Sequence, residues 1–330
     1  MIVTRTPFRI SFFGGGTDYP TWFQEHGGVV VATTIDKYCY ISCRFLPPFF
    51  EHKYRIVYSR IENVIDPAEI QHPSVRAILQ HMGWDTGLEI HHDGDLPARS
   101  GLGSSSSFTV GLLNALKALE GSYISNEDLA ALAIHIEQDV IQENVGSQDQ
   151  ISAAYGGFNR IEFCNDGKFR VNPVILKKDR LENFQGNLML FFTGFSRIAS
   201  EIAKSKIDNI RQRKEELSRM KEMADEAISI LQGQGSLEEF GHLLDQGWQF
   251  KKKLSDKVST SEIDQIYEAA RNAGAMGGKL LGAGGGGFML FFVKPEHQNQ
   301  VRKCLDKLIH VPFRFENSGS RVVLYQPNGL

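Results

Sequence analysis

Residues 97–107 read Pro-Ala-Arg-Ser-Gly-Leu-Gly-Ser-Ser-Ser-Ser, and they run directly into an apolar-periodic stretch at 104–120. In that stretch Phe108, Leu112, Leu113, Leu116 and Leu119 share one helical face, and Gly121 follows as a stop signal. The spacing predicts a Gly/Ser loop that opens a helix. Glycine lacks a Cβ, so backbone N–H groups can approach an anion closely. The helix N-terminus adds unpaired N–H donors and the positive end of a dipole. Serine hydroxyls there can cap the helix, bond phosphate oxygens or complete a Mg²⁺ shell. A loop that only caps a helix needs one serine, and four in a row after Gly-Leu-Gly exceed that need. The stretch reads as a phosphate cradle.

Two more glycine groups accompany it. The chain has 32 glycines in 330 residues, against about 23 at ordinary usage. Twelve of them fall at 14–16, at 101 and 103, and within 277–287. There is no Gly-X-Y period, so a collagen-like chain is excluded. A Walker loop is excluded as well, because Gly278-Lys279 is followed by Leu280. Gly282, Gly284 and Gly287 match G-x-G-x-x-G, but residues 269–278 read as the end of a helix. That cluster is expected to follow a helix and open a strand, the reverse of the dinucleotide fingerprint. The protein-kinase signatures H-R-D and D-F-G are absent.

Composition narrows the class further. The length suggests roughly two domains with ample core. Hydrophobic residues at 42% and charged residues at 23% describe a globular protein. The net charge of −3 supplies no basic field and argues against a nucleic-acid partner. The four cysteines contain no C-x-x-C pair, which argues against a disulfide framework or zinc site and fits a reducing cytoplasm. The first residues form no apolar leader, and the apolar runs 188–192 and 288–293 are strand-length, so no membrane partner is expected.

The expected elements are mixed. Strands are predicted at 2–13, 27–34, 38–45, 54–58 and 88–92, and helices at 104–120 and 126–143. A loop at 143–150 follows. In the second half 188–193 and 288–293 read as buried strands, and 200–231 as one or two charged amphipathic helices. Further helices are predicted at 237–254, 261–272 and 296–308, and closing strands at 312–316 and 321–325. No linker marks a domain boundary, which is placed softly within 170–187.

Phosphoryl transfer to a hydroxyl needs metal ligands, a positive clamp and a carboxylate near the nucleophile. Glu137, on the helix before the 143–150 loop, is a plausible metal carboxylate, and Asp149 within that loop a plausible base. Spacing alone marks neither, since a single acid on a polar face is ordinarily just solvated.

Together these stretches resemble the GHMP kinase family. Residues 5–19, Arg-Thr-Pro-Phe-Arg-Ile-Ser-Phe-Phe-Gly-Gly-Gly-Thr-Asp-Tyr, are similar to its first motif. Residues 97–107 resemble its P-x-x-x-G-L-G-S-S, and Lys279-Leu-Leu-Gly-Ala-Gly-Gly-Gly-Gly287 its third, glycine-rich loop. The resemblance implies an α+β, two-lobed GHMP-kinase fold. Its N-terminal lobe (1–180) would be ribosomal-protein-S5-like and its C-terminal lobe (181–330) ferredoxin-like, with the site in the cleft. It implies ATP and Mg²⁺ as cofactors. Pro97, Ser100, Gly101, Leu102, Gly103, Ser104, Ser105 and Ser106 would wrap the nucleotide phosphates, and Ser105 and Glu137 would ligate the metal. Asp149 would serve the accepting hydroxyl, and Arg9 would pair with Asp149 and lower the nucleophile's pKa. Gly15, Gly16, Thr17 and Asp18 would bind the acceptor, and Gly284 and Gly285 would close over it.

Within the family, galactokinases typically carry Gly-Glu-His-Thr-Asp and fucokinases resemble Gly-Gly-Trp-Thr-Asp. Here the stretch is Gly14-Gly-Gly-Thr-Asp18. It looks most similar to the heptose kinases that phosphorylate the anomeric hydroxyl of D-glycero-D-manno-heptose 7-phosphate, in surface-polysaccharide precursor synthesis. Thr193-Gly-Phe-Ser-Arg197 resembles a stretch of those enzymes too, and Arg197 would clamp the 7-phosphate. The implied partner is a small sugar or sugar phosphate, and a homo-oligomer is compatible with the resemblance. The alternatives are a kinase with a fucose, galactose or other acceptor, and a GHMP-fold protein that binds ligand without catalysis. The second predicts losses at Ser105, Glu137 or Asp149, and none is lost. An NAD-dependent oxidoreductase would need a strand before the Gly282 cluster and an acid about 20 residues beyond it.

Overall fold

The computed structural model describes residues 1–98, 100–194 and 199–327, so Arg197 lies outside the described residues. The chain runs β1 (Ile2–Phe13), α1 (Pro20–His26), β2 (Gly28–Phe45), β3 (Tyr54–Val57), β4 (Ile61–Val64), α2 (Pro73–His81), β5 (Leu88–Gly94) and α3 (Ser104–Leu119). Then come α4 (Asn126–His135), α5 (Gln148–Tyr155), β6 (Phe158–Phe163), β7 (Phe169–Pro173), α6 (Lys178–Gly186) and β8 (Leu188–Gly194). The remainder is α7 (Ala199–Asn209), α8 (Lys214–Gln232), α9 (Glu238–Lys253), α10 (Ser261–Asn272), β9 (Ala275–Leu280), β10 (Gly287–Val293), α11 (Pro295–Cys304), β11 (Ile309–His310), β12 (Phe315–Glu316) and β13 (Arg321–Tyr325).

Two sheets organise these elements. The larger has the order β13-β1-β2-β5-β3-β4, with β12 and β6 also on β2 and β7 beyond β6. Residues expected as two strands, 27–34 and 38–45, form the single strand β2. Its first half pairs with β6 and its second half with β5, so one long strand carries two neighbours on the same edge. Both halves pair with β1, and a register shift between Pro7 and Phe8 absorbs the sheet's twist there. The smaller sheet is antiparallel, in the order β11-β8-β10-β9. The helix α3 packs its apolar face across β1 and β2, while α8 and α9 span from β1 to β9.

Four further expectations change. Residues 275–280 are a strand, β9, antiparallel to β10, so the Gly282 cluster follows a strand after all. It closes a β9–β10 hairpin and opens no helix, which still separates it from a dinucleotide site. The helix expected at 126–143 ends as α-helix at His135 and continues as a π-helical turn, Ile136–Val140, that holds Glu137. Asp149 lies in the first turn of α5 rather than in a loop. The C-terminal strands β12 and β13 pair with β2 and β1, so a cut at 180/181 assigns to the second unit residues that belong to the first sheet.

One of two core clusters is continuous across the two sheets. Phe12 of β1 meets Phe184 of α6 and Phe240 of α9, both at 5.6 Å between ring centres. Phe184 also meets Phe158 at 5.9 Å and Phe292 of β10 at 6.5 Å, in tilted and stacked geometries that favour aromatic pairs. Phe184 is fully buried where these elements converge. We expect Phe184→Ala to lower the urea midpoint by the equivalent of about 3–5 kcal/mol, with the slope of the transition unchanged. A loss under about 1 kcal/mol would mean that the cluster is not a shared core.

Candidate active site

Arg9 points inward from β1 and is almost fully buried. A buried guanidinium must be paired to be tolerated, and Arg9 makes three bonds. Its Nε and Nη2 donate to Asp149 Oδ1 and Oδ2 at 2.7 and 2.8 Å, and its Nη1 donates to the Gly101 carbonyl at 2.7 Å. The Arg9 backbone N–H also donates to Leu102 O at 3.0 Å. One residue thus fixes both the carboxylate and the 100–103 loop. The Asp149 side chain is 24% exposed against 5% for Arg9, so the carboxylate is the member that opens to the cleft.

The loop is not a serine-capped helix start. Gly103 is the N-cap, left-handed at φ 75°, and no side chain caps α3. A Cβ at Gly103 would lie 3.2 Å from Arg9 Cγ and 3.4 Å from Asp149 Cγ, so the helix begins directly over the ion pair. Among the serines the roles divide. Ser100 is buried and turns its hydroxyl back to Pro97 O, and Leu102 is buried, so both side chains shape the loop. Ser106, expected in the cradle, is buried and donates to Glu137 Oε2 at 2.8 Å. Ser104 is half-buried and Ser105 exposed at the cleft end of α3.

Glu137 is completely buried. Gln150 Nε2 joins Ser106 in donating to Oε2, whereas Oε1 has no hydrogen-bond partner. Burial pushes the carboxyl up to about 7, against the Ser106 and Gln150 donors that hold it down. An unsatisfied buried carboxylate oxygen is costly unless another ligand completes it.

On the other side of Asp149 stands the loop 14–18. Asp18 is buried and accepts from Gly16 N–H at 2.8 Å and from Gln148 Nε2 at 2.9 Å. Burial holds its carboxyl above the usual range, and the Asp149 charge adds to that in spite of the Gly16 bond. Gly146 presses against the same carboxylate, since a Cβ there would fall 1.9 Å from Oδ2. Thr17 keeps its side chain within its own loop. It is fully buried, its hydroxyl donates toward Gly14 O and Val29 O, and it accepts from Val29 N–H. Ser11 Oγ and Gln148 Oε1 are buried without partners, and Ser11 Oγ and Gln148 Nε2 each lie 3.7 Å from where a Gly15 Cβ would be. Sequence reading missed Ser11 and Gln148. The hint for Gln148 was its place beside Asp149.

The third glycine loop meets the second backbone to backbone. A Cβ on Gly282 would sit 2.4 Å from Gly101 Cα, and one on Gly101 would sit 2.6 Å from Leu281 O, at φ values of 69° and 85°. Only glycine allows that approach. Gly287 lies similarly against Ser100 O. Gly284 and Gly285, expected over the acceptor, turn instead to Val258, whose carbonyl accepts from Gly285 N–H at 3.0 Å. Buried Lys251 holds the loop from behind, donating to Leu280 O and Gly282 O at 2.6 and 2.8 Å. Lys279 donates to Phe12 O at 2.7 Å and so braces β9 against β1.

Residues 70–157 match the GHMP kinases N terminal domain and residues 223–310 the GHMP kinases C terminal domain. The chain is 30% identical over 319 residues to D-glycero-alpha-D-manno-heptose 7-phosphate kinase of Campylobacter jejuni, covering 93% of each. The chain belongs to the GHMP kinases. It is an ATP-dependent kinase of the sugar-kinase type that phosphorylates a hydroxyl acceptor. It is also 27% identical over 334 residues to a bifunctional fucokinase/GDP-fucose pyrophosphorylase of Arabidopsis thaliana, covering 91% of this chain but 31% of that protein. A crystal structure of a D-glycero-D-manno-heptose 1-phosphate kinase from Bacteroides thetaiotaomicron shares the fold, with a TM-score of 0.80, 24% identity and 98% of each chain covered. Among the described residues no helix of this kinase is long and apolar enough to cross a membrane.

The raised Glu137 has a stability consequence. Between pH 4.5, its ordinary value, and about 7, the folded state binds the proton that the unfolded state releases. Stability therefore falls as pH rises through that window and levels off above it, by up to about 3 kcal/mol. Thermal melts of the magnesium-free protein at pH 5 and pH 8 should show this loss in wild type and a smaller one in Glu137→Gln. Equal losses in the two proteins would contradict it.

Proposed function

We propose that this kinase transfers the γ-phosphoryl group of ATP to the anomeric hydroxyl of D-glycero-D-manno-heptose 7-phosphate, for surface-polysaccharide precursor synthesis. The observation that carries the chemistry is the Arg9–Asp149 fork lying under the uncapped start of α3. The acceptor assignment is supported by the similarity to the Campylobacter jejuni enzyme and by Gly14-Gly15-Gly16-Thr17-Asp18, which lacks the Glu-His or Trp of other acceptor loops.

The residues divide the work. The first-turn amides of α3, with Gly103, Ser104 and Ser105, oppose the charge of the nucleotide phosphates. The partnerless Oε1 of Glu137 and a hydroxyl from the same turn of α3, Ser105 or Ser106, suit Mg²⁺, which takes few protein ligands and shares the rest with phosphates and water. When bound there, the ion would neutralise charge on the transferring group. Arg9 orients both oxygens of Asp149, whose open side receives the acceptor hydroxyl. As the sugar oxygen forms its bond to the γ-phosphorus, Asp149 accepts the hydroxyl proton and the bond to ADP breaks. Asp18, Ser11 and Gln148 line the acceptor side with buried polar atoms, the chemistry that fixes sugar hydroxyls. Gly282 and Gly287 press the third loop onto the second and keep water from the transfer path.

Asp149→Asn keeps the size and most of the hydrogen bonding but cannot take the proton. Its kcat should fall by roughly 10²–10⁴ in a coupled ADP-release assay, and near-normal turnover would refute the proton-acceptor role. The same assay with wild type and a panel of sugars and sugar phosphates tests the acceptor. Turnover of galactose or fucose with none of heptose 7-phosphate would overturn the heptose assignment.

A further inference from the structure

A cavity of about 400 Å³ opens between the start of α8 and the end of α9, lined by Arg213, Gln249, Lys252, Lys253 and Asp256. Its wall carries three cations and one carboxylate in a chain whose net charge is −3. Arg213 lies 3.4 Å from Glu216 and Lys252 lies 3.5 Å from Asp264. Both are partly exposed pairs of the kind that hold their side chains weakly. The Lys253 ammonium rests over the Phe250 ring at 5.0 Å. A planar guanidinium, two ammonium groups and an amide around one open hollow form a donor set for a doubly charged phosphate ester.

Two buried leucines on the helix ends that carry the cavity touch the acceptor loop. A Cβ on Gly16 would lie 3.0 Å from Leu217 Cδ2 and 3.6 Å from Leu254 Cδ1. Leu217 is one helical turn after Arg213, to whose carbonyl its N–H donates, and Leu254 directly follows Lys253. Gly16 N–H holds Asp18, and Asp18 is held in turn by Gln148, the neighbour of Asp149. The acceptor loop therefore packs, through Leu217 and Leu254, on the same two helix ends that carry Arg213, Lys252 and Lys253. The cradle at α3 is a separate anion site on the other glycine loop. We infer that the cavity of Arg213, Lys252 and Lys253 binds the phosphate that the acceptor already carries, and so selects phosphorylated sugars. The inference rests on the reading of the acceptor as a sugar phosphate, and it adds the residues that would recognise the phosphate.

The test compares Lys253→Gln, Arg213→Gln and the double variant with Lys253→Arg, which keeps the charge. Melting curves establish that each is folded. With heptose 7-phosphate and the same sugar without its phosphate, the preference for the phosphorylated acceptor, taken as the ratio of kcat/KM values, should fall roughly tenfold for each charge lost. The loss should lie in the KM for the sugar phosphate, and Lys253→Arg should restore most of it. Inorganic phosphate should inhibit wild type in competition with the sugar phosphate, and less so in the double variant. Equal losses on both acceptors, or inhibition by inorganic phosphate in competition with ATP alone, would overturn the inference. A wild type that uses the sugar phosphate while the double variant keeps the preference also overturns it, and leaves the kinase reading intact. A wild type that uses only unphosphorylated sugars overturns the acceptor reading and this inference with it.

Discussion

Arg9 donates from a buried position on β1 to three oxygens at once, two on Asp149 and one on the Gly101 carbonyl. A guanidinium withdrawn from water cannot leave such partners without a large cost. The consequence is geometric. The carboxylate is held at both oxygens, and the loop before α3 is tied to the same point. The helix must then begin above the pair, and Gly103, with no Cβ, lets it begin there. A dipole end, a carboxylate and the first turn of α3 are thereby brought to one place by one side chain.

The second constraint is steric. Two loops from different sheets touch through Gly101 and Gly282, closer than any side chain would allow. Lys251 and Lys279, both buried, tie the far loop and its strand to neighbouring carbonyls. Beneath them the Phe12, Phe184, Phe240 and Phe292 rings fill the junction. Glycine at the loop contact and aromatic packing beneath it are two halves of one arrangement: the backbones come close at the start of α3, and bulk fills the space below.

Glu137 shows what a fold can hold in reserve. Its burial, its single unsatisfied oxygen and its place in a π-helical turn all cost stability in the unliganded protein. Such costs are retained where a ligand repays them. The surroundings of Gly15 follow the same logic, with Ser11 Oγ and Gln148 Oε1 buried and unpaired.

Much of this was legible from residues 97–119, because a glycine–serine run entering an amphipathic helix is written locally, in spacing and side-chain type. β1, β8 and β10 were legible for the same reason. β9 was not: Ala275-Met-Gly-Gly-Lys-Leu280 has little β propensity, and it is extended because it pairs with β10 and because Gly277 lets α9 come close. Likewise the return of β12 and β13 to the first sheet depends on partners some 280 to 320 residues away in sequence. The sequence alone determined which residue types were present and where in the chain: a glycine–serine run entering a helix, acids, and glycines in three groups. Only the tertiary structure decided which atoms carry it. It set the Ser106 hydroxyl on Glu137 and buried Thr17 in its own loop. It turned Gly284 and Gly285 toward Val258, and it set Gln148 on Asp18. Those choices depend on distances between segments far apart in the chain, and hydrogen bonds and steric exclusion operate on distance, which spacing along a sequence does not encode.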